Sequence, residues 1–174
     1  DDDGQRTDSN GASGPDIFGQ QIAPETEAAI NWISIRGRSR RTVVLNTGSM
    51  GAPMEAVRAC TDNLMEHWGI DLDQHRNLAS LPKPKQNPGR WMNANDYPTG
   101  LLRQGYQGIV KFRLSVDADG VPSACHIQQS SRPEGFDKAV CDALMRKARF
   151  EPAMTKDGTA IASYWRNTVR FKIP

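Results

Sequence analysis

The sequence predicts an α+β fold: a small antiparallel three-stranded sheet with a helix packed on one face, in the order strand, strand, helix, strand, preceded by a strand–helix fragment of another domain. Three observations predict it. Residues 109–116 alternate apolar and polar side chains, residues 136–148 place their apolar side chains in one helical stripe, and residues 161–173 alternate again. The 174 residues, 37% of them hydrophobic, allow one or two small domains with modest cores.

Residues 1–16 hold five Asp, three Gly, one Arg and a single apolar side chain, Ala12. Such a segment cannot repay the entropy of ordering, and residues 1–29 read as a disordered acidic tail. Ile30 to Ile35 and Thr42 to Leu45 are rich in strand formers and flank the basic turn Arg36 to Arg41, so a hairpin is expected. Pro53 then suits a first helical turn, and Met54, Val57, Thr61, Leu64, Met65 and Trp68 recur at helical spacing until Gly69. Two strands and one helix make a poor independent core, so residues 30–77 read as the C-terminal part of a truncated N-terminal domain. The run Leu81 to Gly89 carries three Pro and two Lys, which favours an extended chain, and 78–96 read as a Pro-containing linker.

The last segment, 97–174, carries the clearest pattern. A short helix spans Pro98 to Gln104, and Val110, Phe112, Leu114 and Val116 then form the inner face of a strand. Asp117-Ala118-Asp119-Gly120 supplies turn chemistry, and Val121 to Gln129 returns as a second strand with Cys125 and Ile127 inward. Phe136, Val140, Cys141, Leu144 and Ala148 fall within a helical stripe about 140° wide. After the turn at Lys156-Asp157-Gly158, Trp165, Val169, Phe171 and Ile173 share the core face of a third strand. One sheet edge must stay open.

Composition and motifs argue against several activities. The net charge of +2, without a basic stripe interleaved with aromatics, argues against nucleic acid. No apolar run approaches the roughly 20 residues that cross a bilayer. Cys60, Cys125 and Cys141 are too scattered for a zinc site, and no cofactor is implied. Val44-Leu45-Asn46-Thr47-Gly48-Ser49 imitates the catalytic loop of retropepsin-like aspartic proteases, but an amide at 46 cannot share the proton that a carboxylate dyad needs. A degenerate protease-like fragment is thus the weakest reading. His67, His75 and His126 lie far apart, and each reads as a surface or helix-end residue. Asp117-x-Asp119-Gly120 lacks the remaining ligands of a calcium loop, and Gly48-x-x-Gly51 lacks the Lys-Ser/Thr of a phosphate loop.

Several spaced motifs fall in one family's order: Tyr97-Pro98, Gly105-x-x-Gly108-x-Val110-x-Phe112-x-Leu114-x-Val116-x-x-x-Gly120, Ser130-Ser131, Phe136-Asp137-x-Ala139 and Arg149-Phe150-x-Pro152-Ala153. They resemble the C-terminal domain of TonB-type energy transducers. The family's Gln-Pro pair before Tyr-Pro is replaced here by Asn93-Ala94-Asn95-Asp96. The resemblance implies a non-enzymatic periplasmic module that receives the TonB-box peptide of an outer-membrane transporter as an added strand, with an inner-membrane anchor outside this sequence and proton-channel partners acting through it. A periplasmic scaffolding protein without energy coupling is the alternative. The expected partner-binding residues are Tyr97 and Pro98 together with Ser163, Tyr164, Arg166, Thr168 and Arg170 on the edge 163–171, although Arg166 and Arg170 also fit plain solvated gatekeepers of that edge. A homodimer through open edges is a further expectation. The implied periplasmic address permits disulfides, and Cys125 and Cys141 face the same layer. A Cys125–Cys141 bridge is expected, with two buried free thiols as the alternative and Cys60 left over.

Overall fold

The structure, a computed structural model, describes residues 22–36, 42–131 and 133–173. The chain divides into two compact units, Asp1–Leu72 and Asp73–Pro174. Residues 1–21 of the expected acidic tail, and residues 37–41 of the expected basic turn, lie outside the described residues.

In the first unit, α1 (Pro24–Ala29) starts with Pro at its N-terminus, where a missing N–H costs nothing, so helix occupies the end of the stretch read as disordered. Strands β1 (Trp32–Arg36) and β2 (Thr42–Asn46) pair antiparallel with Ser34 opposite Val44, giving the expected hairpin. Helix α2 (Gly51–His67) follows. Arg58 on α2 donates from Nη1 to both carboxylate oxygens of Glu27 on α1, at 2.7 and 2.6 Å, and Ser49 Oγ donates to the Ala28 carbonyl at 2.8 Å. These polar contacts hold the two helices together. Every residue of both strands is exposed, and α2 buries none of its side chains.

Helix α3 (Leu72–Arg76) carries the chain across the division. The segment expected to be a linker is built into the second unit instead. Within it, β3 (Leu78–Ser80), β4 (Lys83–Pro84) and two 3-10 turns, Pro88–Arg90 and Ala94–Asp96, all have partners. Proline sits in β4 without penalty because β4 is an edge strand. Trp91, 2% exposed, enters the core, with edge contacts to Phe150 and Trp165 at 5.3 and 5.4 Å between ring centroids. Asn93 and Asp96 form a capping box, and Lys147 Nζ donates to both Asp96 oxygens at 3.0 and 2.8 Å. Partial burial pushes the Asp96 carboxyl up, but the Lys147 hydrogen bond, the Asn93 backbone N–H and nearby cations outweigh it and hold the group below its usual range.

Then come α4 (Thr99–Arg103), β5 (Gly108–Val116), β6 (Pro122–Ser130), α5 (Gly135–Lys147), β7 (Phe150–Glu151), β8 (Ala153–Thr155), β9 (Ala160–Ile161) and β10 (Ser163–Phe171). The main sheet is antiparallel in the order β10-β5-β6, and α5 lies on the face of Val110, Phe112, Leu114 and Val116. Smaller ladders join β3-β8-β9 and β4-β7. The expected continuous strand 161–173 is interrupted at Ala162, because β9 pairs with β8 whereas β10 crosses to β5.

Two features lock this unit. Cys125 on β6 and Cys141 on α5 are disulfide-bonded with Cα atoms 5.6 Å apart, across a sequence separation of 16. In the chain-entropy model such a loop contributes about 3 kcal/mol. Gly120 in the β5–β6 turn has φ +78°, and a Cβ there would stand 1.9 Å from the Phe150 carbonyl oxygen. The close approach accompanies a hydrogen bond from Phe150 N–H to the Gly120 carbonyl, 2.8 Å, which ties the hairpin turn to the chain leaving α5.

Candidate peptide-binding edge

Among the described residues β10 pairs only with β5, so its other edge carries unpaired backbone N–H and C=O groups. Strand alternation decides what each side chain does. Trp165, Val169 and Phe171 turn toward α5 and pack against the core. Tyr164, Arg166, Thr168 and Arg170 project from the opposite face, where the last three are exposed and Tyr164 is half-buried. The register sets Arg166 opposite Arg113, Thr168 opposite Lys111 and Arg170 opposite Ile109.

The end of the edge near Ser163 is anchored. Ser163 is 3% exposed, and its Oγ lies 3.3 Å from Nε2 of His75, itself buried. The His75 ring stacks on Tyr164 at 5.9 Å between centroids, and the Arg166 guanidinium lies 5.9 Å from the Tyr164 ring centre. Burial holds the His75 imidazole below its usual range. Histidine 75 is therefore a helix-end residue, in the last turn of α3, but a buried one rather than a surface one, and the Ser163 hydroxyl is buried against it. At the other end Tyr97 packs edge-on against Phe136 and Phe171, at 5.7 and 5.2 Å, and its hydroxyl donates to the Tyr106 carbonyl. Pro98 caps the N-terminus of α4. Tyr97 thus braces the Phe171 end and Pro98 starts α4 beside it in sequence, while Tyr164, Arg166, Thr168 and Arg170 line one side of the edge itself.

Sequence reasoning missed two neighbours of this edge. Lys111 is exposed on the far face of β5, and Arg113 beside it is 4% exposed, with Nη1 donating to Ser115 Oγ at 3.3 Å. Burial lowers the guanidinium's pKa. Their positions in the alternating run of β5 carried the signal, since both fall on the face opposite Val110 and Phe112. Among the described residues no group of three or more His, Cys, Asp or Glu is placed to hold a metal ion, and no helix is long and apolar enough to cross a membrane.

Comparison with known proteins fits this geometry. Residues 93–173 match the family described as Gram-negative bacterial TonB protein C-terminal. The protein tonB2 of Pseudomonas aeruginosa is 39% identical over 75 residues, covering 42% of this chain and 27% of that protein. The TonB protein of Xanthomonas campestris pv. campestris is 37% identical over 82 residues, covering 47% of this chain and 36% of that protein. The chain therefore spans only 27% to 36% of the length of these relatives. It is residues 93–173, with their helix laid across a three-stranded antiparallel sheet, that carry the likeness to the TonB C-terminal family.

Proposed function

We propose that this chain works in the periplasm as part of a TonB-like transducer, its second unit engaging outer-membrane transporters by taking their TonB-box peptide as an added strand on β10. The observation that carries this reading is the unpaired edge of β10 within a domain matched to the TonB C-terminal family. An added strand gains backbone hydrogen bonds along the edge and side-chain contacts on both faces. The disulfide suits an oxidising compartment. Transduction further requires inner-membrane proton-channel partners reached through an anchor, so that energy for nutrient uptake passes along the chain to the bound transporter. A homodimer formed through the same edge would compete with the peptide.

The test is an NMR titration of the oxidised chain with TonB-box peptides from transporters of the same organism. Saturable amide shifts concentrated on residues 163–171 are the expected result. If the folded domain shows no such shifts at millimolar peptide, β10 is not the site, and the scaffolding reading without energy coupling takes its place.

A further inference from the structure

Strands β5, β6 and β10 contain no Asp or Glu, yet they carry Lys111, Arg113, Arg166 and Arg170. All four cations project from the face opposite α5, joined there by His126, which pairs with Arg113 in the register. Arg166 stands directly across from Arg113, and Lys111 lies diagonally between Arg166 and Arg170. Like charges at such cross-strand positions repel, so the arrangement costs stability in the isolated domain. Among the described residues, no ion pair involves Lys111, Arg166 or Arg170, and all three are exposed. One or two cations are enough to keep an edge from pairing with another chain. Four of them on one face of strands that carry no carboxylate point to a partner that brings the counter-charge.

We infer that the peptide received by β10 is acidic on one face, with two carboxylates four residues apart that stand against Arg166 and Arg170. This rests on the strand-addition reading above. Side chains of an added strand alternate, so those on the cationic face become cross-strand neighbours of Tyr164, Arg166, Thr168 and Arg170. The residues facing Arg166 and Arg170 are then four positions apart whichever way the peptide runs. Between them, the residue facing Thr168 is small and neutral. Those falling on the α5 side lie beside Asn167 and the half-buried Val169, with Trp165 just beyond, so apolar side chains fit there. The pattern is carboxylate, apolar, neutral, apolar, carboxylate. Guanidinium–carboxylate pairs add geometric selection to the charge attraction, and the Tyr164 ring restricts where the Arg166 guanidinium can sit.

The experiment compares three synthetic peptides of about nine residues, long enough to span the edge. They share a Val-Thr-Val centre flanked on both sides by Glu, Gln or Lys, and each is titrated into the isotope-labelled oxidised chain. The Glu peptide is expected to bind roughly tenfold more tightly than the Gln peptide, with the Lys peptide weakest. That gap should narrow as salt rises to about 0.5 M. In the double variant Arg166→Glu/Arg170→Glu the order should reverse, and the neutral Arg166→Gln/Arg170→Gln, checked for native amide dispersion, should lose the preference for Glu over Gln. Equal binding of the Glu and Gln peptides, with shifts along β10, overturns the acidic-peptide inference and leaves strand addition standing. Absence of shifts on β10 with any peptide overturns both.

Discussion

Residues 22–72 and residues 73–173 use the same kind of pattern and bury it very differently. The hairpin of the first unit leaves Trp32 57%, Ile35 52% and Val44 61% exposed, whereas in the second unit Trp91 is 2% and Val110, Phe136 and Phe150 are 0% exposed. Alternation and helical spacing tell which side of an element is apolar. They do not tell whether a covering layer exists. The second unit supplies its own, with α5 and Trp91 on one face of the β10-β5-β6 sheet; the first is held by a half-exposed ion pair and a few backbone contacts, with the apolar side chains of its hairpin in solvent.

Paired substitutions sharpen that contrast, and the largest effect is expected at a glycine. In Gly120→Ala the new methyl meets the Phe150 carbonyl, which is backbone and cannot swing aside, in addition to the strain of positive φ. A loss of about 4 kcal/mol or more is expected by denaturant unfolding. Gly48→Ala in the first unit shares the positive φ, +67°, but its Cβ meets nothing within 4 Å, so only the conformational cost of about 1–2 kcal/mol remains.

Next in size, Trp91→Ala should cost about 3–5 kcal/mol, against about 0.5 kcal/mol or less for Trp32→Ala. Equal effects would erase the distinction between the units. Removing the disulfide with Cys125→Ala/Cys141→Ala should lower the second unit's stability by about 3 kcal/mol, while Cys60→Ala, at an exposed free thiol, should leave thermal unfolding unchanged.

The smallest expected effect is on pH dependence. Burial depresses the His75 pKa in the folded chain, so near neutral pH the unfolded chain binds more protons at this site. Its contribution is therefore full above its ordinary value of 6.5 and is lost as the pH falls below that. His126 is shifted the same way, by burial and then by Arg113. Thermal midpoints measured between pH 7.5 and 5.5 should fall less steeply in His75→Gln than in the parent chain, and the remaining slope should shrink in the double variant with His126→Gln.

The second unit's hairpin and helix were legible because each buries one continuous face, which alternation or a helical stripe reports directly. Linker chemistry misled at 78–96 for an instructive reason. Its prolines do impose extended backbone, but Lys83 and Pro84 use that backbone to pair with Glu151 and Phe150, and the lone pair Trp91-Met92 has no period to detect. At the edge, alternation sorted Tyr164, Arg166, Thr168 and Arg170 onto one face. It could not reveal that Ser163 meets His75, 88 residues earlier in the chain, or that Tyr97 spends its ring on Phe136 and Phe171. Long-range pairing of isolated polar residues leaves no trace in local sequence.

The Cys125–Cys141 bond would also matter if the proposed transducer role placed the domain under tension. If load enters at β10 and leaves along the chain toward its N-terminus, the 16-residue separation between the two cysteines marks a stretch that cannot pay out while the bond is intact. At full extension that stretch corresponds to roughly 50 Å of chain. An oxidised domain is therefore a shorter tether than a reduced one, and its redox state sets how far it can be drawn out as well as how readily it unfolds.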